Sequence, residues 1–286
     1  MDYFRQKGQE RPSVQKNYPD VQFHLYVQSV EAVLYLDMSG ESLHRRGYRK
    51  RGGEAPLKET LAAAIVALSG WRERGGTILD PMCGTGTILI EAALMYSDSA
   101  PGLFRSYFGF LGWSDHDEIL WRRLVNEAMV REEEASKKEW PLFIGYDCDK
   151  KAVAAARKNI AAAGLDERIH IQYGEFASLL PPKKRGTLIS NLPFGERLLE
   201  EEVVVQLYRG MGRIARERLS GWWLALFLMK PEMTDLFSIS WLEKYRLFNG
   251  ALPCRLLVGE VSEPQETEFI WRLPEPTKID DDFANR

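Results

Sequence analysis

From Gly75 to Leu228 the chain alternates short apolar runs with helix-patterned segments, a rhythm that few folds accommodate. TILD (77–80) reads as a buried strand, and TILIEAALM (87–95) as the helix after it. PLFIGYD (141–147) leads into the Ala-rich DKKAVAAARKNIAAAG (149–164), which stops at Gly164. IHIQY (169–173), TLIS (187–190) and WWLALFL (222–228) add three more strands, with helices over 115–137 and 201–218. Strands alternating with helices imply a doubly wound, mostly parallel α/β sheet. The strand-rich stretch from about 240 to 272 carries Asn249-Gly250, a strong hairpin signal, and so adds an antiparallel strand near the C-terminus. Ligands of such sheets bind beyond the carboxyl ends of the strands. The polar and glycine-rich segments 80–87, 147–149, 174–176 and 191–197 fall at four of those ends. Pattern alone therefore points to the place of a site.

Upstream, VQFHLYVQSVEAVLYLD (21–37) holds two partly alternating runs that predict a small β element, behind a linker-like segment 1–20. PLKETLAAAIVALS (56–69) predicts a helix with Pro56 in its first turn. The 286 residues suffice for one sizeable α/β domain with an appendage. No apolar run approaches the roughly 20 residues that span a bilayer, and the N-terminus lacks the apolar core of a signal peptide. Cys83, Cys148 and Cys254 are too scattered for a disulfide framework or a zinc site, and the four histidines have no ligand spacing. The expectation is a cytoplasmic protein with no metal and no membrane partner. Net charge is −3, so a nucleic-acid partner requires a local basic patch. Arg45, Arg46, Arg49, Lys50 and Arg51 offer one, and a solvated loop is the alternative.

Asp80-Pro81-Met82-Cys83-Gly84-Thr85-Gly86-Thr87 joins a buried strand to a helix, as a cofactor loop does. Gly84 and Gly86 permit a tight turn and close backbone approach to a ligand. A dinucleotide fold is disfavoured because Leu89 stands where the third glycine of GxGxxG belongs. Asp80 would repel a pyrophosphate, whereas it suits the ammonium and sulfonium charges of S-adenosylmethionine. Asp147 can take ribose hydroxyls, while Glu175 and Phe176 can meet adenine. Helix capping is the competing role for Asp147 and Asp149, and it fits Asp149 better. Cys83 has no base near it in sequence and is expected to flank the loop rather than act as a nucleophile; Cys148 and Cys254 read as packing residues.

Asn191-Leu192-Pro193-Phe194 follows the fourth strand. An exocyclic amine is a poor nucleophile because its lone pair is delocalised into the ring. The Asn191 side-chain oxygen and a backbone carbonyl of Leu192 or Pro193 can accept its protons and free the lone pair for in-line attack on a methyl group. Pro193 stiffens the backbone, and Phe194 offers a stacking surface for a flipped base. Such transfer depends mainly on positioning. A plain Asn-Pro-Gly turn is the alternative, and Glu196 and Arg197 could orient the loop or form a surface pair.

The segments HRRGYRKRGGEAPLKETLAAAIV, DPMCGTGTILIEAAL, GYDCD and SNLPFGERL together resemble the class I methyltransferases that accompany a THUMP domain, in particular the bacterial 23S rRNA guanine-N2 methyltransferases. The resemblance runs from about residue 21 to residue 262. It implies a seven-stranded Rossmann-like sheet, S-adenosylmethionine as donor and an RNA guanine amine as acceptor. Residue by residue it implies cofactor contacts around Pro56, Lys58 and Glu59, at Asp80, Pro81, Met82, Cys83, Gly84, Thr85, Gly86 and Thr87, at Asp147 and Cys148, and at Glu175 and Phe176. Asn191, Leu192, Pro193 and Phe194 would hold the target amine, with Asn191 also beside the cofactor. It further implies a THUMP and linker remnant over 1–45, a catalytic domain over 46–275 and a tail over 276–286. The Leu-Pro-Phe form departs from the Pro-Pro-Tyr of the rRNA enzymes and matches tRNA-type relatives. Other readings are a tRNA guanine-N2 enzyme, an adenine-N6 enzyme, a non-catalytic RNA-binding protein and, against Asp80, a nicotinamide oxidoreductase.

Overall fold

A computed structural model describes residues 3–10, 13–15, 19–49, 57–193 and 201–262. After a one-turn helix α1 (Tyr3–Gln6), β1 (Gln22–Gln28) and β2 (Glu31–Asp37) form an antiparallel two-stranded ribbon. The predicted helix over 56–69 is shorter than its sequence pattern: α2 (Glu59–Leu68) starts after Lys58, whose extended backbone (φ −65°, ψ 141°) makes it the N-cap. Pro56, expected in the first turn, lies outside the described residues. There follow α3 (Trp71–Arg74), β3 (Thr77–Asp80), α4 (Thr87–Tyr96), α5 (Glu118–Ser136), β4 (Phe143–Asp147), α6 (Lys150–Ala162) and β5 (Ile169–Tyr173). The chain continues through β6 (Gly186–Asn191), α7 (Glu201–Arg218), β7 (Trp223–Leu228), β8 (Glu243–Asn249) and β9 (Leu252–Glu260).

Seven strands form one sheet in the order β5-β4-β3-β6-β7-β9-β8. β9 is antiparallel to both of its neighbours, and the remaining pairs are parallel. The expected sheet, mostly parallel with one antiparallel strand near the C-terminus, is the one found. β3 is buried at every position and β7 at all but its first, because helices cover both faces of a parallel sheet. β5, at the sheet edge, keeps an apolar inner face (Ile169, Ile171) and exposes His170, Gln172 and Tyr173. One face packs under α2, α4 and α6. Here α4 is buried on all sides and α6 contributes the stripe Val153, Ala156 and Ile160. The other face packs against α7 through Val204, Tyr208, Met211 and Ala215, and against a 3₁₀ turn at Pro231–Phe237.

The connection between α4 and β4 carries an aromatic cluster that anchors the N-terminal ribbon. Phe108 stacks on Phe110, and both pack edge-on against Trp121 at the start of α5. Arg105 donates to the carbonyls of Ser39 and Glu41, Phe110 N–H to Met38 O, and Tyr107 to Pro19 O. At Gly112 a Cβ would lie 2.1 Å from Asp20 O, so only glycine allows this approach. β3, β4, β5 and β6 all end on the same edge of the sheet, where the functional segments gather.

Candidate active site

The loop after β3 is built by backbone contacts from its neighbours. Cys83 N–H donates to Tyr146 O (2.9 Å) and Gly86 N–H to Cys83 O (2.8 Å), closing a tight turn. Gly84 and Gly86 sit at φ +53° and +80°, a left-handed backbone that a side chain would strain. From α6, Asn159 Nδ2 donates to Thr85 O (3.0 Å), so the helix after the second strand also holds the loop.

Asp147, at the end of β4, accepts Gly84 N–H on Oδ2 (2.8 Å) and Asp149 N–H on Oδ1 (2.8 Å). It thus fixes the loop while each oxygen keeps a lone pair for a ribose hydroxyl. Asp149 caps α6 by accepting Lys151 N–H at 2.8 Å, the capping role favoured by its position in sequence. Asp80 is 1% exposed, and its Oδ1 accepts the Ser190 hydroxyl (2.8 Å) and Met82 N–H (3.2 Å). Burial raises its carboxyl to about 7 against these hydrogen bonds, and the nearby Asp147 charge adds to the rise.

Several candidates occupy supporting positions. Leu192 is buried against α7, and its N–H donates to Phe227 O (2.9 Å). Pro193 O accepts the hydroxyl of Tyr208, a fully buried α7 residue, at 2.9 Å. Asn191, half-buried, ends β6 in register with Phe227. Phe176 is buried with Leu79 and Leu188, beneath an exposed Glu175. The Cys83 thiol is buried, and desolvation pushes its ionisation far up, consistent with a flanking role. Cys254 is buried as expected, whereas Cys148 is exposed, because it lies in the turn between β4 and α6 where no element covers it. Lys58 is exposed, and Pro56, Phe194, Glu196 and Arg197 lie outside the described residues.

The basic run is not one solvent-facing patch. Arg46 pairs with Glu91 on α4 (3.3 Å), whose other oxygen accepts the Tyr48 hydroxyl (3.0 Å). Arg49 reaches Thr87 Oγ1 (2.5 Å), Leu57 O (3.2 Å) and the Glu59 carboxylate (3.7 Å). These arginines are drawn inward because Glu59 and Glu91 are buried and need counter-charges. Arg45 pairs with Glu41, and Lys50 and Arg51 lie outside the described residues. Sequence reasoning missed Ser190, Tyr208 and the Arg49–Thr87 contact. Ser190 left one signal, a hydroxyl in an otherwise apolar strand end.

Among the described residues, no cluster of three or more histidine, cysteine or acidic side chains could hold a metal ion. Instead, Asp80, Asp147, Glu175 and Asn191 line the ends of four adjacent strands beside a left-handed glycine turn. Glu59 Oε2, on α2, is buried without a hydrogen-bond partner among the described residues. This acceptor-rich edge suits a ligand bearing an ammonium group and ribose hydroxyls, and opposes a pyrophosphate.

A family model for the RMKL-like methyltransferase domain matches residues 46–257. The chain belongs to this family. It is 52% identical to "Ribosomal RNA large subunit methyltransferase K/L" of Desulfotalea psychrophila over 291 aligned positions, covering 100% of this chain and 40% of that protein. The chain thus spans well under half the length of that curated relative. The crystal structure of SMU.472, assigned as a methyltransferase and complexed with SAH, superposes with a TM-score of 0.79 at 32% identity, over 91% of this chain and 67% of the other. A Listeria monocytogenes protein assigned as an N6-adenine-specific DNA methylase superposes with a TM-score of 0.72 at 31% identity, over 83% of this chain and 60% of the other. Within the RMKL-like family fold, the two loops at the ends of β3 and β6 stand side by side, since these strands are direct neighbours. No helix among the described residues is long and apolar enough to cross a membrane.

Proposed function

We propose that this chain is the catalytic part of an S-adenosylmethionine-dependent RNA methyltransferase that methylates the exocyclic N2 amine of a guanine, with 23S rRNA as substrate. The supporting observation is the Ser190–Asp80 hydrogen bond, which ties the residue before Asn191 to the mouth of the cofactor loop. It supports a reading in which Asn191 binds the amine and Asp80 faces the cationic end of the cofactor at one end of the sheet. When bound, S-adenosylmethionine supplies an electrophilic methyl group on a sulfonium.

Each residue then has a separable task. Gly84 and Gly86 let the backbone approach the cofactor, Asp147 holds the ribose and Glu175 the adenine edge. Asp80 and Glu59 favour the cationic end. Asn191 Oδ1 and the Leu192 carbonyl accept the two amine protons and direct the nitrogen lone pair at the methyl carbon. Because Tyr208 occupies Pro193 O, the Leu192 carbonyl is the better second acceptor. Gly84, Gly86, Asp147 and Glu175 would hold the cofactor, which supplies the methyl group and keeps the electron pair of the bond that releases it. The amine nitrogen, oriented by Asn191 and Leu192, would lose its proton to solvent. The effect is one of orientation and transition-state hydrogen bonding.

The experiment is nucleoside analysis of 23S rRNA, tRNA and DNA after incubation with labelled cofactor. Labelled N2-methylguanosine from rRNA is the expected product. The same product from tRNA alone would move the substrate to tRNA. N6-methyladenine would establish the second reading, favoured by the likeness to the adenine-assigned Listeria protein. A chain that binds S-adenosylhomocysteine yet labels no nucleic acid would contradict all three.

A further inference from the structure

β8 exposes a basic and aromatic strip that the cofactor and amine chemistry leaves unused. Side chains alternate along a strand. Tyr245 and Leu247 turn into the core, and Lys244, Arg246 and Phe248 line the opposite, exposed face. Arg246 is paired in register with Arg255 of β9. Directly opposed residues on one face have Cβ atoms roughly 4.5–5.5 Å apart, and like charges there are destabilising. Among the described residues, no carboxylate forms an ion pair with Lys244, Arg246 or Arg255. The acids of the hairpin, Glu243 and Glu260, stand at its far end. Nor does the strip merge with Lys230, which is engaged by Glu201 at 3.5 Å. Two opposed arginines without a counter-charge are what a surface needs to hold an external polyanion.

The strip is well placed for substrate. Arg255 is in register with Leu228, one position beyond the row that pairs Asn191 with Phe227. It therefore lies at the same edge of the sheet as the candidate catalytic loop. β6 and β8 are three strand spacings apart, about 14 Å. Phe248 is 55% exposed, and the Arg246 guanidinium lies 5.6 Å from its ring centroid, so charge and a stacking face occur together.

We propose that the exposed face of the β8–β9 hairpin, through Arg246, Arg255 and Lys244 with Phe248 beside them, binds the phosphate backbone of the substrate RNA next to the target nucleotide. The inference rests on the RNA-methyltransferase reading above and assigns that substrate a second point of contact. Phosphate contacts of this kind fix register without reading sequence. The test is the salt dependence of binding to a 23S rRNA transcript, measured for the parent chain, R246A/R255A and R246K/R255K. The alanine pair should lower the slope of log affinity against log salt by about 2, and the lysine pair should keep the parental slope. Affinity for S-adenosylhomocysteine should be equal in all three, and the melting temperature of the alanine pair should match or exceed the parent's. An unchanged slope in R246A/R255A, with the parent binding RNA, would overturn the surface assignment alone. A parent that binds S-adenosylhomocysteine but shows no salt-dependent RNA affinity would overturn the RNA reading and the surface with it.

Discussion

Asp80 carries two conflicting demands. It is almost sealed from water and raised to about 7 by burial, yet a cationic ligand favours its ionised form. Between its ordinary 3.8 and about 7 the folded chain holds more proton at this site than the unfolded chain does. Folding stability contributed by Asp80 is therefore full below about 3.8 and is lost as pH rises through about 7. Urea titrations at about pH 5 and about pH 8 should show this loss in the parent and not in Asp80→Asn; equal pH dependence in both would refute it. The role proposed for Asn191 differs, because its hydrogen bonds to the target amine would matter chiefly in the transition state. Asn191→Ala should keep S-adenosylhomocysteine affinity within about twofold while lowering kcat by about 100-fold or more. A kcat near the parent's would remove Asn191 from the reaction.

At the scale of elements, the candidate catalytic loop is held on one side by β7 and on the other by α7. Leu192 N–H continues the ladder to Phe227 O, and the Tyr208 hydroxyl holds Pro193 O. Tyr208 also stacks on Phe237 with ring centroids 5.0 Å apart, so the helix, the 3₁₀ turn and the loop share one buried contact. Tyr208→Phe keeps the ring and removes only the hydroxyl. It should lower kcat about tenfold and leave KM and cofactor affinity near the parent's, since a net hydrogen bond contributes about 0.5–1.5 kcal/mol. A fall in cofactor affinity equal to the fall in kcat would instead mean general damage to the domain. The α4–β4 connection does similar work for the N-terminal ribbon, whose apolar side chains stay exposed along nearly its whole length while Arg105 and the Phe108–Phe110 cluster secure its base.

For the whole molecule, the proposed cofactor site would draw on the ends of four strands and on the helices packed beside them, so ligand affinity and folding stability should be linked. S-adenosylhomocysteine at about 100 times its Kd should stabilise the fold by about 2.7 kcal/mol, a rise of roughly 5–10 °C in Tm. Asp147→Ala should remove most of that rise, because it takes away both the proposed ribose acceptor and the acceptor of Gly84 N–H; a full rise in the variant would make Asp147 purely structural. Much of this architecture was already written in local sequence. Apolar runs such as TILD and WWLALFL are long enough for strands and too short for helices. Asn249-Gly250 announces the final hairpin, and the glycines at 84 and 86 mark a turn. These are properties of neighbouring residues, and nearest-neighbour physics is what a sequence displays. Side-chain direction is different, because it is set by partners far along the chain. The HRRGYRKRGG run looks like a single basic surface until Glu91 and Glu59, 45 and 10 positions downstream of Arg46 and Arg49, draw those arginines inward. Tyr208 has the spacing of any core residue on an amphipathic helix, and only packing brings its hydroxyl to Pro193. The opposed Arg246 and Arg255 likewise arise from the register of two strands. Local propensity and patterning decided the elements and their order, and long-range burial and charge compensation decided which side chains face the site.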